Sequence, residues 1–404
     1  MPSSAPAPDK RTLLRVHSAG LLGLGMFDIF VFLVPLWAVL TGANATEVGI
    51  LVGARSLLPG LFTIHGGVLM DRFGPRGVMT VFIVLIMTLA PLYSVLPHFV
   101  PLLALQLVLG LAMTLQWVGA QTMIAQLSKG DTGYLGHFTF ASRIGTFIAP
   151  LIFGLLWDLT TPRASFIAAS VWAAVLLALI LSIPTPPETR AKAPSRLRLG
   201  DLVPRLSDYR DTLALLAIPA IAITIAACFL RNSTTGMQGS IYIVYLQDIG
   251  LTGTLIGLLF SAIEAASGVG ALIAGRVTRR FAPMTTLVTV TGIAIALMAI
   301  TPLLGGVIAL LMVAQVFRGL AQGIHQPVTF SIQSLAVPPD RQGSAIALRV
   351  TTNRVSALTI PPTMGLIADT WGIGPSFLIL GAILVALVIV LWLVAKRHGA
   401  PAEP

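Results

Sequence analysis

Runs of about twenty apolar residues, each closed by a short polar turn, recur from one end of the chain to the other. They fall near 16–40, 47–70, 78–96, 100–127, 135–157, 164–184, 213–246, 252–275, 284–303, 306–335, 343–368 and 374–395. At a rise of about 1.5 Å per residue each run is long enough to carry a helix across a bilayer core of about 30 Å. The pattern therefore predicts twelve transmembrane helices in an all-α integral membrane fold. Pro184 to Asp211, rich in Pro and Arg, is the longest polar segment and reads as a linker between two halves. The expected layout is a tail over 1–15, a six-helix bundle over 16–184, a linker over 185–212, a second six-helix bundle over 213–395 and a tail over 396–404.

The halves repeat one another. Gly67 to Pro75 corresponds to Gly275 to Pro283 at an offset of 208, with Arg72-Phe73 recurring as Arg280-Phe281. Gln106-Leu-Val-Leu-Gly110-Leu-Ala recurs as Gln315-Val-Phe-Arg-Gly319-Leu-Ala at 209, and Gly154-Leu-Leu-Trp-Asp158 as Gly365-Leu-Ile-Ala-Asp369 at 211. At this last offset Arg143 meets Arg354 and Pro150 meets Pro361. Three separated matches at nearly constant offset predict two pseudo-symmetric six-helix bundles.

Composition narrows the class further. A 404-residue chain that is 56% hydrophobic and 10% charged carries more apolar surface than a soluble core hides. The net charge of +10 raises a nucleic-acid reading, but the basic residues sit in the turns between apolar runs and not on one patch. They read as topology signals. With both termini in the cytoplasm, 18 of the 25 Lys and Arg residues fall on that side, Arg163 alone falls outside, and six lie within spans. The opposite orientation inverts this bias and is rejected. The inner (plasma) membrane is the expected location, with the first helix directing insertion, since Met1 to Lys10 lacks a signal-peptide pattern. The one cysteine, Cys228, lies in an apolar run, which leaves no disulfide framework and no metal-ligand spacing.

The turn between the second and third runs reads Gly67-Val68-Leu69-Met70-Asp71-Arg72-Phe73-Gly74-Pro75-Arg76. It resembles the signature of the major facilitator superfamily, Gly-x-Leu-Ala-Asp-Arg-x-Gly-Arg/Lys-Arg/Lys. Gly67, Leu69, Asp71, Arg72, Gly74 and Arg76 match it; Met70 and Pro75 depart from it. The resemblance implies a gating loop formed by Gly67, Asp71, Arg72, Gly74 and Arg76, with Arg280 at the repeat position. It also implies two halves related by an axis along the membrane normal, with solute bound between them near the midplane. A segment of the fifth run, Gly145-Thr-Phe-Ile-Ala149-Pro150-Leu-Ile-Phe153-Gly154, is similar to the helix 5 motif of proton antiporters, with Ala149 and Phe153 replacing two glycines. It implies a bent, closely packed helix.

Charges within the spans are the informative minority, since each costs about 2.5 to 3.5 kcal/mol at a helix centre. They are Asp28, Arg55, Arg143, Arg231, Glu264, Arg318, Arg349 and Arg354. Asp28 and Glu264 are the two acids near the middle of their runs. Each reads either as a proton-coupling carboxyl or as half of a structural ion pair. Arg143 and Arg354 read either as an anion clamp or as partners of those acids. Arg318 resembles the buried arginine that the superfamily often places in helix 4, where this chain has Gln106. Arg55, Arg231 and Arg349 read as snorkelling or packing groups. Trp117 and Tyr242 are candidates for stacking on a flat solute; Trp37 and Tyr245 fit an interfacial role, and His65 and His325 read as packing residues.

No Walker sequence, metal triad or nucleophile elbow appears, so an ATP-driven pump or membrane hydrolase lacks its chemistry, and no cofactor is expected. Six arginines against two acids leave the intramembrane set at +4 with both acids ionised and +6 with both protonated. The expectation is a monomeric, non-enzymatic, proton-coupled secondary transporter of a small organic anion by alternating access. Its partners are then a solute, protons and lipid, not nucleic acid. A drug/proton antiporter for lipophilic or cationic compounds is the alternative, and a non-transporting scaffold or assembly factor a lesser one.

Overall fold

The computed structural model describes residues 9–62, 70, 74–128, 132–184, 213–337 and 342–398. Among them the chain forms twelve helical segments. In the first half these are α1 (Lys10–Leu40), α2 (Ala45–Ala54, continuing as an apolar span to Phe62), α3 (Pro75–Leu89, extended by a 3-10 turn over Ala90–Val95), α4 (Phe99–Ser128), α5 (Thr132–Leu159) and α6 (Pro162–Ser182). In the second, α7 runs over Pro219–Met237, a π turn over Gln238–Tyr242 and a last stretch over Ile243–Asp248. It is followed by α8 (Gly253–Thr278), α9 (Pro283–Ala299), α10 (Ile308–Ala336), α11 (Gln342–Trp371) and α12 (Ile373–His398). Nine segments are long and apolar enough to cross a membrane. Of the other three, α9 is short at 17 residues, α7 is broken by its π turn, and α11 carries Arg349, Arg354 and a run of Thr, Asn and Ser.

Local chemistry explains where helices start and stop. Pro75, Pro162, Pro219 and Pro283 each open a helix, where a missing N–H costs nothing. Asn44 and Glu47 form a capping box on α2, and Thr252 caps α8 at the repeat-equivalent position. Gly42 (φ +89°) after α1 and Gly250 (φ +82°) after α7 take the same left-handed turn, 208 residues apart. The internal repeat is thus written in the caps as well as in the spans.

Several helices outrun the apolar runs. Helix α1 starts at Lys10, α3 takes in Arg76, and α12 reaches past Lys396 and Arg397, so these basic residues are helical and not in loops or tails. Backbone hydrogen bonding continues into the interface while long basic side chains reach outward. Lys396 Nζ lies 4.0 Å over the Trp392 ring, while Arg15 Nη1 donates to the Ser182 carbonyl at 2.7 Å and Arg76 Nη2 to the Leu181 carbonyl. The two arginines satisfy orphan carbonyls at the C-terminus of α6, where positive charge is favoured.

By packing, the chain divides into two units, Met1–Leu33 with Leu58–Val203 and Val34–Leu57 with Pro204–Pro404. In the first, α3 packs on α4 and α6, and Tyr93 stacks on Phe166 with centroids 5.2 Å apart. In the second, α8 and α9 pack on α10, α7 on α11, and α2 on α11. The sequence repeat groups α2 with the first bundle, yet its residues pack in the second unit. There a Cβ on Gly49 would stand 2.2 Å from the Pro361 carbonyl oxygen, and Asp369 accepts from Ala45 N (3.0 Å) and Thr46 N (2.9 Å), capping α2.

Candidate substrate site

In the first unit the centre of α1 is held from two sides. Gln116 Nε2 on α4 donates to the Gly23 carbonyl at 2.7 Å, and Trp172 Nε1 on α6 donates to the Leu22 carbonyl at 2.9 Å. Helix α5 reaches α1 backbone to backbone, since a Cβ on Gly145 would lie 2.0 Å from the Leu21 oxygen. The close packing implied by the helix 5 motif is therefore present at its first glycine. Five residues beyond Gly23 on the same helix, Asp28 sits half-buried, three residues past the middle of α1, and is engaged by neighbours. Arg143 is half-buried on α5 and likewise engaged. Trp117 stacks on Phe138 (5.7 Å, 16° between planes), so one of its faces is already occupied by protein. Gln106 is buried and accepts from the Tyr93 hydroxyl at 3.1 Å.

The second unit holds its polar groups differently. Arg318 on α10 is 2% exposed, with Nη1 donating to Gln315 Oε1 (2.5 Å) and Nη2 to Gln238 Oε1 (3.0 Å). Gln238 begins the π turn of α7 and Tyr242 ends it; the Tyr242 hydroxyl joins Gln315 and Arg318 in the same buried cluster. A π turn widens the helix locally and so presents both side chains toward α10. Tyr242 is itself buried, with Phe260 and Phe377 rings 6.3 and 6.4 Å away. Its ring is spent on packing, and its contribution to the cluster is the hydroxyl, not a stacking platform.

Glu264 lies half-buried at the twelfth position of α8, close to its centre, and is engaged by neighbours. Arg354 is half-buried on α11, and Arg349 is half-buried with its guanidinium 4.5 Å above the Phe330 ring. Among the described residues none of Arg318, Arg349 and Arg354 has a carboxylate partner. The structure thus brings Arg318 and Tyr242 together. Of the loop residues, Gly67, Asp71 and Arg72 lie outside the described residues. Gly74 (φ +77°) caps α3, Arg76 is bound to α6 as above, and Arg280 is exposed in the turn after α8.

The sequence reading passed over Gln238, Gln315, Gln322, Thr329 and Gln333 as site residues. A usable signal was present: on α10 the polar positions 315, 318, 322, 325, 329 and 333 recur at spacings of three and four, which is one face of a helix.

Comparisons with known proteins agree with this architecture. The fold is shared with the nucleoside transporter NupG (13% identity, 95% of this chain and 99% of that one, TM-score 0.78). It is shared also with a POT family transporter solved with 5-aminolevulinic acid (15%, 96% and 96%, 0.72), and with a bacterial homolog of the human lysosomal transporter Spinster (13%, 97% and 97%, 0.72). No curated protein matches the chain by sequence. The family description that does match is Major Facilitator Superfamily, over residues 17–237 and again over 224–404, one copy for each half of the repeat. This multi-pass membrane chain therefore belongs to the Major Facilitator Superfamily, a family of secondary transporters.

Proposed function

We propose that the chain is a proton-coupled secondary transporter of a small organic anion, working as a monomer by alternating access across the inner membrane with both termini in the cytoplasm. The observation that carries this reading is Arg318, buried to 2% exposure, whose hydrogen-bond acceptors among the described residues are neutral amide oxygens. A guanidinium stays charged in proteins, and burying it costs several kcal/mol that a carboxylate ordinarily offsets. Two amide dipoles orient the group without cancelling its charge. An arriving carboxylate supplies the missing countercharge through charge-assisted hydrogen bonds worth about 1.5 to 3 kcal/mol each. Arg354 and Arg349 extend the same positive field.

Asp28 and Glu264 are the proton-coupling groups in this reading, as the two carboxyls near the centres of their helices. The test is uptake in proteoliposomes under an imposed pH gradient, screened over a panel of labelled metabolites. Asp28→Asn or Glu264→Gln is expected to abolish accumulation while solute exchange survives. Normal accumulation in both variants would remove the coupling assignment, and a cationic preferred solute would remove the anion assignment in favour of drug efflux.

A further inference from the structure

Polar side chains on α10 form a continuous line from Gln315 to Gln333, about 27 Å long at 1.5 Å per residue. Five buried polar atoms along it make no hydrogen bond of good geometry: Gln315 Nε2, Arg318 Nε, His325 Nε2, and Nε2 and Oε1 of Gln333, although the Tyr242 hydroxyl stands near Gln315 and the Ala227 backbone near His325. Among the described residues no other helix carries as many. Buried polar atoms are nearly always satisfied, so a line of orphans on one face marks where something else binds. The upper part of the line is the Arg318 cluster. The lower part centres on His325.

His325 is 2% exposed; its Nδ1 lies 3.3 Å from Thr329 Oγ1, the Ala227 backbone of α7 is close to the ring, and its Nε2 makes no hydrogen bond of good geometry. Arg231 of α7 and Arg349 of α11 are near enough to act on it electrostatically, with Cys228 and Thr329 in the same group. Arg231 is steadied by Asn232, which donates in turn to Asn353 of α11. Arg349 has Phe330 beneath it and a buried Nε with no partner. Neither His325 nor Arg349 has a carboxylate partner among the described residues.

The fold does not require these charges. At the repeat-equivalent places the first half has Gln116 for His325, Gly23 for Arg231 and Phe138 for Arg349, and there Gln116 simply bonds the Gly23 carbonyl. We infer that His325 and Arg349, backed by Arg231, form a second anion-holding station on the same face of α10 as Arg318 and about 10 Å along it. The occupant is an oxyanion, a carboxylate or phosphate group. It is either a second acidic group of the solute or a separate inorganic anion. The spacing rests on the proposed role of Arg318; the station itself does not.

Calorimetry on the purified full-length protein tests this with inorganic phosphate and with alkane dicarboxylates of rising length, each against the monocarboxylate of equal length. If a separate anion fills the station, phosphate binds and Arg349→Gln weakens it about tenfold, more than Arg318→Gln does. If the solute's own second group fills it, one dicarboxylate length binds about tenfold tighter than its monocarboxylate, and Arg349→Gln erases that gain. His325→Gln, which installs the residue the first half already tolerates, must weaken the same ligand, and it decides the matter should Arg349→Gln fail to fold. Absence of both phosphate binding and a dicarboxylate gain, or indifference of either to these substitutions, overturns the station. Monocarboxylate binding in Arg318→Gln judges the transport proposal separately: unchanged affinity there removes the first site whatever Arg349 does.

Discussion

Where Gln116 of α4 bonds the Gly23 carbonyl in the first half, the second half sets His325 beside Arg231; where the first has Leu109, the second has Arg318. The helix contacts follow the same division. Helices α1 and α5 meet with Gly145 against the Leu21 oxygen, and their repeats α7 and α11 meet with Ser356 Oγ donating to the Phe229 oxygen at 3.4 Å. At these positions one backbone plan therefore accepts neutral, tightly apposed residues in one copy and polar or charged residues in the other, although the first copy carries its own charges at Asp28 and Arg143. Each such charge costs about 2.5 to 3.5 kcal/mol at a helix centre, which is why ligand contacts are proposed at these positions.

Exchanging residues between the copies tests how far this division goes. The largest effect is expected from Gly145→Ser, which imports the second half's residue where a Cβ would stand 2.0 Å from backbone oxygen. A loss of about 3 kcal/mol follows from overpacking, against about 1 kcal/mol for the reverse change Ser356→Gly, which removes one hydrogen bond. Cys228, the one thiol in the chain and buried, supplies the readout: a thiol-reactive fluorophore reports the melting temperature of each variant. Comparable melting temperatures for the two would mean that the close approach of α1 and α5 contributes little.

Next in size, Arg354→Gln should weaken binding of the preferred anion by about 2 kcal/mol, measured by calorimetry, as expected for loss of a partly buried charged partner. Arg143→Gln, its repeat equivalent, is expected to match it if the anion is held by both copies. A loss confined to Arg354 would restrict the site to the second half, and no loss in either would exclude the pair from binding.

The smallest effect is expected at the α2 cap. Asp369→Ala removes the carboxylate that receives Ala45 N and Thr46 N and should lower stability by about 1 kcal/mol, again seen in Cys228 reactivity. An unchanged melting temperature would show that water replaces the cap without cost.

The amino-acid sequence by itself determined the class, the number of spans, the two-fold repeat and the family. All of these follow from hydropathy, loop charge and spacing, properties local to a segment of twenty residues or repeated at constant offset. It also singled out Arg318, Asp28 and Glu264, because a charge inside an apolar run is conspicuous whatever surrounds it. What only the tertiary structure decided is who stands next to whom. Gln238 and Gln315 are unremarkable in sequence, Gln238 standing 80 residues before Arg318, and they become the two arms that hold Arg318 only when α7 packs on α10 through its π turn. Tyr242 passed from solute platform to buried hydroxyl for the same reason. His325 reads as a packing residue in sequence, and only the structure sets Arg231 and Arg349 near it, with an Nε2 that makes no hydrogen bond of good geometry. Burial and partnership depend on contacts between helices, and hydropathy along one helix carries no record of them.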